Sequence, residues 1–200
     1  IGAMAETVWW LEACGLEGVA SLLSILEELN QSSGGSSLTE LDDHNIEFYG
    51  GGQPLIASMD LLCDVMRDYA LGSGYARLYI RNVTGLDVVA AATRCSVHGM
   101  NVFARWDTKV ARILSEQSFP EVFDIGVKQR TDLVLTMGLE PLPGLPTSKR
   151  RLFGASDLQD TFDTSLRDCI RLSLSDYETL TKYAAKVLVP ASEASRQGAG

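Results

Sequence analysis

The chain has 200 residues, 46% hydrophobic and 22% charged, which is enough apolar material to offset chain entropy around one core and too much for global disorder. Its 26 acidic against 17 basic residues give a formal net charge of −9, a field that repels polyanions and argues against nucleic acid as the main partner. No run of about 18 apolar residues is present to span a membrane, and four scattered cysteines without a C-x-x-C pair fit buried thiols in an intracellular, cytoplasmic or nuclear, setting.

Ile1-Gly2-Ala3 ahead of Met4 reads as the remnant of a cleaved tag, so residues 1–3 stay out of the fold argument. In the N-terminal segment, residues 4–30, Trp9, Leu16, Val19, Leu22, Leu23, Leu26 and Leu29 recur at helical spacing over 6–29. Gly15 and Gly18 weaken that helix and predict a break near Gly15. Residues 31–37, rich in Ser and Gly, have the composition of a flexible linker, natural or engineered. The rest, 38–190, is expected to be one α+β domain, followed by a flexible tail at 191–200.

Within that domain His44 to Tyr49 is a strand candidate ending at Gly50-Gly51-Gly52. The glycines lack the following Lys-Ser/Thr of a phosphate-cradling loop. Pro54 at a helix start, then Leu55, Met59, Leu62, Met66 and Tyr69 at helical spacing, predict a helix over 54–71 that Gly72 and Gly74 stop. From Tyr75 the period becomes two, with Ala76, Leu78 and Ile80 on one side and Tyr75, Arg77, Tyr79 and Arg81 on the other. Val88 to Val97, Val102 to Trp106, Val110 to Leu114, Val122 to Val127, Asp132 to Met137 and Leu166 to Leu174 continue as strand candidates. Three prolines between Pro141 and Pro146 predict a long loop over 138–164. Ser175 with Glu178 reads as a capping box opening a C-terminal helix at 176–188. The expected fold is therefore α+β: about six to seven mostly antiparallel strands flanked by three helices, a topology that resembles pleckstrin-homology-like domains.

No contiguous catalytic, cofactor-binding or metal-binding motif appears. His44 and His98 are the only imidazoles and neither has a partner in a motif. Glu40, Asp42, Asp43 and Glu47 lack the spacing of a calcium loop and read as a solvated acidic loop. Arg77, Arg81 and Arg105 are candidates for an anion-binding face able to grip phosphates or an acidic peptide. Trp9 and Trp10 are adjacent and cannot both face one core from a helix, so one is expected to be free for a partner.

Lys149-Arg150-Arg151-Leu152-Phe153 resembles the cyclin-docking motif of Arg-x-Leu followed by a hydrophobic residue. That resemblance implies a cyclin as partner, bound by Arg150, Arg151, Leu152 and Phe153, with Arg150 pairing with acidic groups while Leu152 and Phe153 fill an apolar cleft. The expected function is a non-enzymatic protein-interaction domain, an adaptor or scaffold of a larger, cell-cycle complex. Two other readings stay open: a phosphate- or phosphoinositide-binding module, and an enzyme whose pocket residues come from scattered strands.

Overall fold

The structure, a computed structural model, describes residues 2–29, 34–85, 99–127, 132–140 and 150–187. The expected strand over 88–97, His98 and the three prolines between 141 and 146 lie outside the described residues. The chain divides into two units, Ile1–Cys169 and Ile170–Gly200.

In the first unit the N-terminal segment forms two helices, α1 (Gly2–Ala13) and α2 (Gly18–Leu29), with the break where the glycines fall. Gly15 takes a φ of 71°, a left-handed conformation that closes a helix at no Cβ cost. A side chain at Gly18 would collide with the Val8 carbonyl and Leu11, so this glycine lets α2 cross tightly behind α1. Glu12 bridges the break, its carboxylate accepting the Val19 N–H at 2.9 Å, as an acidic cap does at a helix N-terminus.

One eight-stranded mixed sheet follows: β1 (Ser37–Glu40), β2 (Asn45–Tyr49), β3 (Tyr75–Arg81), β4 (Asn101–Trp106), β5 (Lys109–Ile113), β6 (Glu121–Asp124), β7 (Leu133–Gly138) and β8 (Arg150–Phe153). Their spatial order is β1-β2-β3-β7-β4-β5-β6-β8. All neighbours pair antiparallel except β2 and β3, which run parallel. The parallel pair needs a crossover, supplied by a 3-10 turn at Leu55–Ala57 and helix α3 (Met59–Ser73). The α+β class thus stands, with two corrections: the described residues form eight strands rather than about six or seven, and a helical crossover places one parallel pair in the sheet.

Both added strands are edges. Ser37–Glu40 is exposed at every position and Arg150–Phe153 nearly so, so neither carries the apolar alternation that marks a half-buried strand. The expected loop over 138–164 and strand over 166–174 give way to β8 and to α4 (Ala155–Asp168). Leu158 and Phe162, one turn apart, pack with Cys14, Trp10 and Phe119, while Asp157, Asp160 and Asp163 stay exposed. Asp157 caps the start of α4 by accepting the Gly154 N–H at 2.9 Å, and Cys169, at φ 69°, ends it.

The main core lies on one face of the sheet. Leu62 and Met66 of α3 pack with Ile46, Phe48, Leu78, Ile80, Val102, Ala104, Leu133, Leu135 and Met137. Each such buried aliphatic side chain contributes about 1.5–3 kcal/mol.

The second unit contains α5 (Leu174–Val187). Its start is capped by Ser173 rather than Ser175: the Ser173 Oγ accepts the Asp176 N–H at 3.1 Å and donates to the Asp176 carboxylate at 2.7 Å. The Ser cap is shifted by two residues from the expected one, and the Asp176 carboxylate meets the Ser173 hydroxyl rather than its backbone N–H, so the expected capping box is replaced by a side-chain pair.

Candidate functional site

The strands that bury Leu78 and Ile80 on one side carry a mixed face on the other, polar and partly exposed at β2 and β3 and buried at Thr136, Val110 and Phe123. Sheet register aligns one row across it, Asn45, Arg77, Thr136, Phe103, Arg112 and Glu121. The next row runs Glu47, Tyr79, Val134, Arg105, Val110 and Phe123. Arg77 and Arg105 therefore share a face, although β7 separates their strands. Adjacent strands lie about 4.8 Å apart, so these side chains reach over Thr136 and Val134 from two sides.

The charges on this face are unevenly committed. Arg81 donates from Nε to Glu47 at 2.6 Å. Arg112 donates to Glu121 and lies 6.0 Å from the Phe123 ring. Arg77 is half-buried, and among the described residues no side chain pairs with it. The available cation of the predicted set is thus Arg77, whereas Arg81 is engaged by a carboxylate.

Beside Arg77, the Tyr79 hydroxyl donates to Asn45 Oδ1 at 3.5 Å. Asn45 Nδ2 donates to both carboxylate oxygens of Asp42, at 2.8 and 2.9 Å. Asp42 also accepts the backbone N–H groups of His44 and Asn45, each at 2.9 Å. These bonds, the His44 N–H first and the Asn45 amide second, hold the Asp42 carboxyl below its ordinary value. The acidic loop read as merely solvated is an ordered turn supporting the end of β2.

The other predicted residues are placed apart from this face or serve the fold. His44 stacks on Tyr75 with ring centroids 4.3 Å apart, and its Nδ1 lies 3.3 Å from the Tyr75 carbonyl. Trp9 is 46% exposed yet meets Phe162 edge-on, and Trp10 stacks on Phe119. Arg150, Arg151, Leu152 and Phe153 form edge strand β8 rather than a free loop. Leu152 packs against the core, and Arg150 lies 3.7 Å from Asp124. The segment is thus an edge strand rather than a loop, with Arg150, Arg151 and Phe153 exposed along it.

The glycine turn after β2 does not fit the phosphates of a dinucleotide. The N–H groups of Gly50 and Gly52 donate to the carbonyls of Arg81 and Asn82 at 2.9 and 2.8 Å. A Cβ on Gly51 would strike Gly34 and Gly35, so this close approach serves the chain's own backbone. Among the described residues no cluster of His, Cys, Asp and Glu has the arrangement of a metal site, and no helix is long and apolar enough to cross a membrane.

No protein-family model matches the chain, and no curated protein sequence matches it. Solved structures do. A putative malate/lactate dehydrogenase from E. coli superposes with a TM-score of 0.70 at 9% identity, over 98% of this chain and 90% of that one. Malate dehydrogenase from Pyrococcus horikoshii OT3 gives 0.68 at 9% identity over 94% and 88%, and delta1-piperideine-2-carboxylate reductase from Pseudomonas syringae gives 0.64 at 10% identity over 90% and 91%. The likeness is one of fold. It corrects the expectation of a non-enzymatic adaptor or scaffold with a cell-cycle role, which rested on the absence of contiguous motifs.

Proposed function

We propose that the chain is an oxidoreductase acting on a small carboxylic acid, with the polar sheet face as its substrate site. The observation that carries this reading is Arg77, a half-buried guanidinium without a side-chain partner among the described residues, centred on a face built from separate strands. Three structural neighbours carry names that specify malate, lactate or a cyclic imine carboxylate. All of these compounds undergo two-electron chemistry at a carbon next to a carboxylate. A fixed guanidinium fork suits that group, because it donates two parallel N–H bonds to a carboxylate.

In the oxidative direction a 2-hydroxy acid passes a hydride from C2 to an oxidised nicotinamide dinucleotide or a soluble dye acceptor supplied in solution and releases its hydroxyl proton to water, giving the 2-oxo acid. Arg77 orients the acid and contributes binding rather than proton transfer.

The test is a turnover screen of malate, lactate and related 2-hydroxy acids with oxidised nicotinamide dinucleotides and a soluble dye acceptor, with the cyclic imine carboxylate assayed in the reverse direction. Turnover is expected with at least one acid. Arg77→Ala is expected to raise KM by about 10–100-fold, the worth of one charge-assisted contact, with a smaller change in kcat. Absence of turnover across the set, or turnover indifferent to Arg77→Ala, overturns the reading.

A further inference from the structure

We propose that Tyr79 is the specificity-determining hydrogen-bond acceptor of this face, selecting acids that carry a hydroxyl or amine donor beside the carboxylate; the inference rests on the carboxylate reading above. Asp42, as a carboxylate, only accepts hydrogen bonds. It takes the Asn45 side chain at 2.8 and 2.9 Å, so the group turned toward Asp42 is the amide nitrogen. The oxygen Oδ1 is therefore turned toward Tyr79, 3.5 Å from its hydroxyl.

A side-chain amide oxygen accepts and cannot donate. At 3.5 Å the Tyr79 hydroxyl is at the outer reach of a hydrogen bond to Asn45; with its proton turned that way, its lone pairs face away as acceptors. Tyr79 lies two residues from Arg77 along β3, on the same side of the strand. The face thus offers a donor fork at Arg77 and an acceptor at Tyr79, the complement of a molecule with a carboxylate and an adjacent O–H or N–H. A 2-oxo acid presents only acceptors and leaves Tyr79 unanswered. Asn45 and Asp42 are positioning residues, fixing the polarity of a hydroxyl they share with no ligand.

The experiment is an NMR titration of the full chain with malate and with succinate, which lacks only the hydroxyl. One neutral hydrogen bond is worth about 0.5–1.5 kcal/mol, so malate is expected to bind about 2–10-fold more tightly than succinate. Tyr79→Phe is expected to bring that ratio to about 1 while leaving succinate affinity unchanged, an outcome that a merely unfolded variant does not give. Asn45→Ala is expected to improve binding of the 2-oxo acid oxaloacetate relative to malate, because the Tyr79 hydroxyl is then free to donate its proton to the ligand; an unchanged ratio of these two acids overturns the role given to Asn45. Equal wild-type affinities for the two acids, or a preference that survives Tyr79→Phe, overturns the assignment of Tyr79 and leaves the carboxylate reading standing. Failure of both acids to bind the wild-type chain overturns the two together.

Discussion

The two sides of β3 differ more than any two elements of the molecule. Ala76, Leu78 and Ile80 are fully buried, whereas Tyr75, Arg77, Tyr79 and Arg81 on the opposite side are half-buried or exposed. One side meets α3 and the main core; the other presents cations, a phenol and an amide relay. The contrast teaches that a single alternating strand divides stability from chemistry by parity. Changes at even positions should be read in unfolding free energy and changes at Arg77 and Tyr79 in ligand affinity.

The largest expected effect is on the buried side. Leu78→Ala removes a side chain with no solvent exposure at the centre of the sheet and should cost about 2–5 kcal/mol, read as a lowered urea midpoint with the slope unchanged. A loss below about 1 kcal/mol would mean that the two faces are not divided as described. A smaller effect belongs to the partly buried ion pair of the polar face. Glu121→Ala leaves the Arg112 guanidinium, whose side chain is 33% exposed, without its carboxylate and should cost about 1–2 kcal/mol. An unchanged midpoint would show that water replaces the partner and that this end of the face is open.

The smallest effect is a pH dependence. The Asp42 carboxyl lies below its ordinary value of 3.8 in the folded chain, so the folded state favours the ionised form. Its contribution is present above the unfolded value and lost as pH falls through the folded one. Acid unfolding of the native chain should therefore steepen below about pH 4 relative to Asp42→Ala. Coincident acid profiles would remove Asp42 as the anchor of Asn45.

How much of this was legible depended on whether the signal was local. Helix α3 and strand β3 were readable because Leu62 and Met66, or Leu78 and Ile80, repeat at their own period, and tertiary burial agrees with that period. Strands β1 and β8 were not, because an edge strand with exposed side chains has no alternation to read. Helix α4 was hidden by Leu166, Leu172 and Leu174, which imitate a strand period while remaining exposed; the one-turn spacing of Leu158 and Phe162 held the correct signal. At the site, strand parity put Arg77 on one side of its strand with Tyr79, and Arg105 was read as lining a neighbouring strand. Thr136 and Phe103 were missed because β7 inserts between β3 and β4, a non-local pairing that no local pattern encodes. Asp42 and Asn45 carried a readable hint, since an Asp at the head of a turn accepts backbone N–H groups two and three residues on.

The central claim is that the polar side of the β2–β3–β7–β4 sheet is a ligand face. The most direct measurement is a chemical-shift map of the isotope-labelled chain during titration with malate. The account predicts that the perturbed amides cluster at Asn45, Arg77, Tyr79, Thr136 and Phe103 and that Arg77→Ala abolishes the shifts. A map centred elsewhere, for example on the Gly50–Gly52 turn, or one unchanged by Arg77→Ala, would contradict it.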